Sequence, residues 1–202
     1  MYKVSVIIPV YNQEELVLKA IESVPTRDDI EILVINDAST DNTWNNLINY
    51  KNEHKNKNIF LLKNRKNKGV AYTVNKGLDN AKGEYIVLLG SDDNFYTDKF
   101  IEIMQQLDGT DLIYFNLQIN NGDVWQLTND NKGFCCGSVK FMRKEFVGNT
   151  RCPIDAPAGE DYYFYCELLS KSPSEKFTDI TVKHYNYPRE NSLSNLRSKG
   201  VI

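Results

Sequence analysis

The first ninety or so residues alternate between short apolar runs and helical spacing in a regular cycle. Lys3 to Pro9 is a run rich in β-branched residues and predicts a buried strand, and Gln13 to Val24 then places Leu16, Val17, Ala20, Ile21 and Val24 on one helical face. A second strand, Ile30 to Ile35, passes through the polar turn Asn36-Asp37-Ala38-Ser39-Thr40 into a helix beginning at Asp41. Ile59 to Leu62 predicts a third strand, followed by a turn at Gly69 and a helix through Val70, Val74 and Leu78. Tyr85 to Leu89 predicts a fourth strand that runs into Gly90-Ser91-Asp92-Asp93. Strands separated by helices of this length imply βαβ crossovers and a Rossmann-like, mainly parallel sheet with helices on both faces, so the fold class is α/β.

Beyond a helix at Asp98 to Leu107 the pattern changes. Leu112–Ile119 and Val124–Leu127 read as strands joined by the hairpin-like turn Asn120-Asn121-Gly122-Asp123, a small antiparallel addition. Ser138–Phe146 and Asp161–Leu169 read as helices, and Lys176–Tyr187 as a last extended segment. With no internal repeat and no linker-like stretch, residues 1–202 form a single domain, with a ligand-binding half at 1–95 and a second half at 96–202.

Composition narrows the function. A formal charge of −3 gives no positive field for nucleic acid, and the longest apolar runs fall far short of a membrane span. No export signal precedes the first strand, which places the protein in the cytoplasm. The cysteines Cys135, Cys136, Cys152 and Cys166 form no C-x-x-C pair and read as reduced, packed thiols. With only His54 and His184 present, a metal would be held by carboxylates.

In an open parallel sheet ligands bind beyond the carboxyl ends of the strands, so the turns Pro9-Val10-Tyr11-Asn12, Asn36-Asp37 and Ser91-Asp92-Asp93 should converge on one crevice. Asp92 and Asp93 at a sheet rim repel one another unless a cation or N–H donors compensate, which suits Mg²⁺ or Mn²⁺ bridging substrate phosphates; capping of the next helix is the plainer use. Gly159-Glu160-Asp161 opens a helix. A carboxylate there is stabilised by the helix dipole and, if it faces the crevice, can act as a general base.

Taken in order, Val6-Ile7-Ile8-Pro9-Val10-Tyr11-Asn12, Ile35-Asn36-Asp37-Ala38-Ser39-Thr40-Asp41, Asn67-Lys68-Gly69 with Asn75, Gly83 through Leu89, Ser91-Asp92-Asp93 and Gly159-Glu160-Asp161-Tyr162-Tyr163-Phe164 resemble the inverting family 2 glycosyltransferases. The resemblance covers nearly the whole chain and implies the GT-A (nucleotide-diphospho-sugar transferase) fold in a minimal, stand-alone catalytic domain. It implies a UDP-sugar donor, with UDP-glucose the first choice and galactose and N-acetylhexosamines close behind. The hydroxyl acceptor is left open among glycan, lipid-linked glycan, protein and small molecule, as is the oligomeric state.

The resemblance also assigns roles. Pro9, Tyr11 and Asp37 would contact the base, Asp37 accepting from the uracil N–H. Asn12, Asn67, Lys68 and Gly69 would line the nucleotide pocket, although Lys68 also reads as a solvated surface lysine. Ser91 and Asp92 would face the ribose, Asp93 would be the more direct ligand of Mn²⁺ or Mg²⁺ with Asp92 shared, and Asp161, with Glu160 beside it, would be the base. Arg189, Tyr163 and Trp125 are further phosphate or acceptor contacts. Two departures stand out: Gly90 occupies the position where the family usually has an Asp, and Pro188 stands beside Arg189 in the tail. The missing carboxylate motivates an alternative, a catalytically degenerate nucleotide-sugar-binding domain.

Overall fold

The computed structural model describes residues 1–132, 138–156 and 159–189, so Cys135, Cys136 and the expected tail motif from Glu190 to Ser194 lie outside it. The first half follows the expected cycle: β1 (Val4–Val10), α1 (Leu16–Ser23), β2 (Ile30–Asn36), α2 (Thr43–Glu53), β3 (Asn58–Lys63), α3 (Gly69–Asn80) and β4 (Tyr85–Leu88). The second half holds β5 (Asn94–Phe95), α4 (Thr97–Met104), β6 (Leu112–Ile119), β7 (Val124–Trp125), β8 (Lys140–Arg143), α5 (Lys144–Val147), α6 (Glu160–Ser170) and β9 (Glu175–Tyr185). Among the described residues one mixed sheet runs in the order β3-β2-β1-β4-β8-β6-β9-β5, with β7 paired to β6. The two halves therefore share a sheet.

β1 pairs in parallel with both β2 and β4, and β2 with β3. Every residue of β2 is buried, as required of a strand covered on both faces. α3 packs on β1 and β2 with Gly77 at the contact, where a Cβ would lie 2.4 Å from the Ile7 side chain. Because β8 is antiparallel to both β4 and β6, and β9 is parallel to β6, the strands β1, β2, β3, β4, β6 and β9 all point their carboxyl ends at the same rim.

One expected helix is corrected. Ser138–Phe146 is not a helix: residues 140–143 form β8, and only Lys144–Val147 make a short turn of helix. Spacing of Val139, Phe141, Met142 and Phe146 fits either period, and pairing to β4 on one side and β6 on the other decides the matter, since tertiary context overrides weak propensity. The strand buries Lys140, whose ammonium lies 4.3 Å from the centre of the Tyr165 ring and 5.7 Å from that of Tyr114. The Tyr114 hydroxyl, 2.9 Å from the Tyr165 hydroxyl, donates to Glu175 Oε1 at 2.6 Å, and burial raises its pKa well above the usual phenol range. The two-residue β5 was not expected; it exists only through its pairing with β9.

At the opposite edge of the sheet, the Gly83 N–H donates to Ser5 Oγ at 2.7 Å, and the Ser5 hydroxyl donates to buried Glu31 at 2.6 Å. A Cβ on Gly83 would sit 2.5 Å from the Ser5 backbone nitrogen. Main chain cannot move aside as a flexible side chain can, so Gly83→Ala is expected to cost about 1–3 kcal/mol, read as a lower midpoint in urea or thermal unfolding. An unchanged midpoint would contradict this close approach.

Candidate active site

Four turns leave the common rim, and side chains lace them together. The Asp37 N–H donates to the Val10 carbonyl at 2.8 Å, joining the turn after β2 to the end of β1. Asn12, in the left-handed region at φ 51°, donates its backbone N–H to Ser39 Oγ at 2.9 Å and accepts the Thr40 N–H at 2.8 Å. Asn36, buried at the end of β2, accepts the Ser39 N–H at 2.8 Å. Between these loops Tyr11 is 44% exposed and offers an open ring, with partly buried Pro9 just before it on β1.

Asp37 is only 3% exposed. Its carboxylate accepts the backbone N–H of Lys68 at 3.0 Å and of Gly69 at 2.8 Å, and the amide of Asn64 at 2.8 Å. It therefore caps α3 from a different loop, satisfying donors that a helix start leaves unpaired and placing negative charge at the positive end of the dipole. Asn64 is buried too, and its Oδ1 accepts from Lys76 at 3.0 Å. Gly69 has φ 84°, and no atom lies within 4 Å of where a Cβ would stand, so backbone conformation and not lack of space calls for glycine. Asn67 accepts the Gly69 N–H at 3.1 Å, and the Lys68 ammonium lies 3.9 Å from the centre of the Tyr72 ring.

The acidic turn separates its two carboxylates. Asp93 is buried, with Oδ2 2.7 Å from Lys183 Nζ and Oδ1 accepting the Asn186 N–H at 2.9 Å. Lys183 is itself 1% exposed and also donates to Ser138 Oγ at 2.6 Å. Asp92 is partly buried, and Arg189 donates Nε at 2.9 Å and Nη2 at 2.7 Å to its Oδ2. Oδ1 of Asp92 receives no hydrogen bond among the described residues. Both oxygens of Asp93, the expected more direct metal ligand, are engaged by these partners. Ser91 is nearly buried beside them. At Gly90 a Cβ would lie 2.7 Å from Asp93 Oδ2 and 3.0 Å from Asp92 Oδ1, so these carboxylates fill the space of a side chain there.

Asp161 stands in the first turn of α6. The carboxyl end of that helix leads through Ser174, which binds Asp111 at the foot of β6, into the start of β9. Eleven residues of helix rise about 16 Å, and this length separates Gly159-Glu160-Asp161 at its amino end from that foot. Gly159 opens the helix at φ 74°. Asp161 Oδ1 accepts the Tyr162 N–H at 2.9 Å, and Oδ2 has no hydrogen bond among the described residues. Leading into this segment, Cys152 is clamped to Asn75 of α3: Asn75 Nδ2 donates to the Cys152 carbonyl at 2.7 Å and the Cys152 N–H donates to Asn75 Oδ1 at 2.8 Å. Burial, with the charges of Glu160 and Asp161 adding, pushes the Cys152 thiol up to about 12.

Of the remaining candidates, Tyr163 is 53% exposed and lines a cavity of about 350 Å³ with Arg151 and Pro153, while Trp125 is 37% exposed on β7. A larger cavity, about 740 Å³, opens near Lys82, Gly83 and Arg143 at the far edge of the sheet and contains none of the candidate residues. Asn64, Lys183 and Asn186 were not anticipated. The one available signal was a lysine set in the apolar alternation of the last strand, since a buried lysine calls for a carboxylate partner.

Removing one member of the buried Asp93–Lys183 pair leaves the other charged and unpaired. Lys183→Met is expected to cost about 3–5 kcal/mol, and the double change Lys183→Met with Asp93→Asn clearly less, measured by chemical unfolding. Additive losses in the double variant would contradict the pairing.

Comparison with known proteins places the chain. The profile described as Glycosyl transferase family 2 matches residues 5–153, a span that stops short of Asp161. A UDP-Glc:alpha-D-GlcNAc-diphosphoundecaprenol beta-1,3-glucosyltransferase, WfaP of Escherichia coli, is 30% identical over 92% of this chain and 77% of its own length. An uncharacterized glycosyltransferase of Rickettsia felis is 48% identical over 50% of this chain, but that match spans only 16% of the relative's length. The S. aureus TarS structure in complex with UDP-GlcNAc superposes with a TM-score of 0.81 at 20% identity, covering 95% of this chain and 60% of that one. The mannosyltransferase PcManGT from Pyrobaculum calidifontis, in complex with GDP-Man and Mn2+, gives 0.73 at 19% identity over 94% of this chain and 58% of that one. These likenesses confirm the expected GT-A fold. On the profile match and the relative that aligns along nearly the whole of this chain, the protein belongs to glycosyltransferase family 2.

Proposed function

We propose that the chain transfers a hexose, with glucose the first choice, from a UDP-sugar to a hydroxyl acceptor by a single inverting displacement. The observation that supports this reading is the common rim: the Asp37 loop and the acidic turn both leave the carboxyl ends of parallel strands of one sheet, and α6 carries Glu160 and Asp161 in its first turn. The UDP-glucose named for the Escherichia coli relative supports the choice of donor.

Tyr11 offers its ring face to the uracil. Asp37 already accepts from Asn64, Lys68 and Gly69, the Lys68 N–H being shared between its two oxygens; these donors fix its orientation, and the uracil N–H would take over one arm of the shared contact. Asp161 takes the proton of the attacking hydroxyl at Oδ2 while its backbone bond at Oδ1 keeps the carboxylate in place. No covalent intermediate is needed, so no activated nucleophile is required. Arg189, held on Asp92, can turn its guanidinium to the departing diphosphate, for which its planar fork is suited.

A divalent cation fits here only as a site shared with substrate. Among the described residues no cluster of three His, Cys, Asp or Glu can hold a metal, but Asp92 keeps Oδ1 clear, and one or two carboxylates with substrate phosphates are the usual setting for Mg²⁺. When bound, Mn²⁺ or Mg²⁺ supplies charge neutralisation at the diphosphate. The binding-only alternative draws less support from Gly90 than the sequence implied, since the neighbouring carboxylates occupy the space of the missing side chain. Among the described residues no helix is long and apolar enough to cross a membrane.

Asp161→Asn is expected to retain UDP binding while transfer falls at least about 100-fold, the scale of general-base loss. Unchanged turnover would remove Asp161 from the role. In a panel of nucleotide sugars, UDP release is expected first from UDP-glucose and to be stimulated by Mn²⁺; release only from a guanosine diphosphate sugar would overturn the donor assignment.

A further inference from the structure

On the far side of the acidic turn from the nucleotide loops, β6 and β9 deliver a group of aromatic rings to the rim. Tyr185 ends β9, and a tight turn in which the Tyr187 N–H donates to the Tyr185 carbonyl at 2.7 Å brings Tyr187 beside it; their rings stack with centroids 5.5 Å apart and planes 8° apart. Trp125, brought in by the pairing of β7 with Leu117 of β6, lies against both, at 6.3 Å from Tyr185 and 6.1 Å from Tyr187. Trp125 is 37% exposed and the tyrosines are partly exposed, so the group is a shelf and not a buried core.

The shelf is tied to the site. Asn186, between the two tyrosines, donates its backbone N–H to Asp93 at 2.9 Å, and Arg189, two residues beyond Tyr187, binds Asp92. Asn120 braces it from the hairpin, donating its backbone N–H to the Tyr187 carbonyl at 3.2 Å and its amide to Asn186 Oδ1 at 3.1 Å. Aromatic faces at a rim, bordered by amides and adjoining the acidic turn, suit one ligand chemistry in particular. A pyranose presents an apolar face of C–H groups to a ring and hydroxyls at its edge to amides.

Resting on the transfer reading above, we propose that this shelf is an acceptor subsite, and that the acceptor is a saccharide whose pyranose ring stacks on Trp125, in preference to an open-chain polyol phosphate. The strand order explains its place: nucleotide turns lie on one side of β4 and the shelf on the other, so a sugar seated there approaches the donor from the side opposite the base. The tether through Asn186 holds the shelf beside Asp93.

The test is direct binding, independent of turnover. Methyl N-acetyl-β-D-glucosaminide, methyl β-D-glucopyranoside and ribitol 5-phosphate are titrated against the full chain by saturation-transfer difference NMR, with UDP binding measured in the same samples. Ring C–H protons of a pyranoside are expected to take up saturation, with affinity reduced about tenfold or more in Trp125→Ala and largely retained in Trp125→Phe. Near-ultraviolet circular dichroism checks that each variant is folded. Equal pyranoside affinity in wild type and Trp125→Ala, or binding of ribitol 5-phosphate as tight as that of both pyranosides, would overturn the subsite. Absence of UDP binding in the wild type would count against the donor reading, while the pyranoside titration still decides the shelf.

Discussion

A carboxylate at the edge of a parallel sheet must meet a cation or a set of N–H donors, and the rim of this protein is organised by how its aspartates satisfy that demand. Asp37 meets it with the amino end of α3, and Asp93 with Lys183. Both are buried and spend most of their hydrogen-bonding capacity on holding loops. Asp92 and Asp161 stay toward solvent, each with one oxygen free of hydrogen bonds among the described residues. Structural and chemical roles are thus divided among similar side chains by burial and partner, not by residue type.

The division has consequences for the whole edge. Capping α3 from Asp37 fixes Gly69 and Asn67 against the turn after β2, so the loops after β2 and β3 behave as one piece. The Asp93–Lys183 pair and the Asn186 N–H join the acidic turn to the last strand, which ends at Tyr185 and is followed by Tyr187 and Arg189. Asn75 adds a third link, from the middle of α3 to the segment that leads to Asp161. The groups proposed to act on base, phosphate and acceptor are therefore connected through short hydrogen-bonded bridges and the sheet beneath them.

Much of this was legible in the sequence, for reasons that can be stated locally. Val4 to Pro9 and Ile30 to Ile35 are apolar runs short enough to be strands and bounded by turn residues, and the polar clusters that follow them had to emerge at a strand's carboxyl end. What was not legible depends on distant partners. Lys140 to Arg143 becomes a strand because β4 and β6 flank it, against an ambiguous local pattern. Asp93 and Lys183 are ninety positions apart, and only the pairing of β5 with β9 brings them together. The different surroundings of Asp92 and Asp93 were hidden for the same reason, since adjacent carboxylates in a motif look equivalent until burial separates them.

The most direct measurement is an anomalous difference map from crystals grown with UDP and Mn²⁺. The account requires nucleotide density between Tyr11 and the Asp37 loop, and a single manganese peak bonded to the Asp92 carboxylate and the diphosphate, with Asp93 still paired to Lys183. Manganese ligated by Asp93 with Lys183 displaced, or nucleotide bound away from this rim, would contradict it.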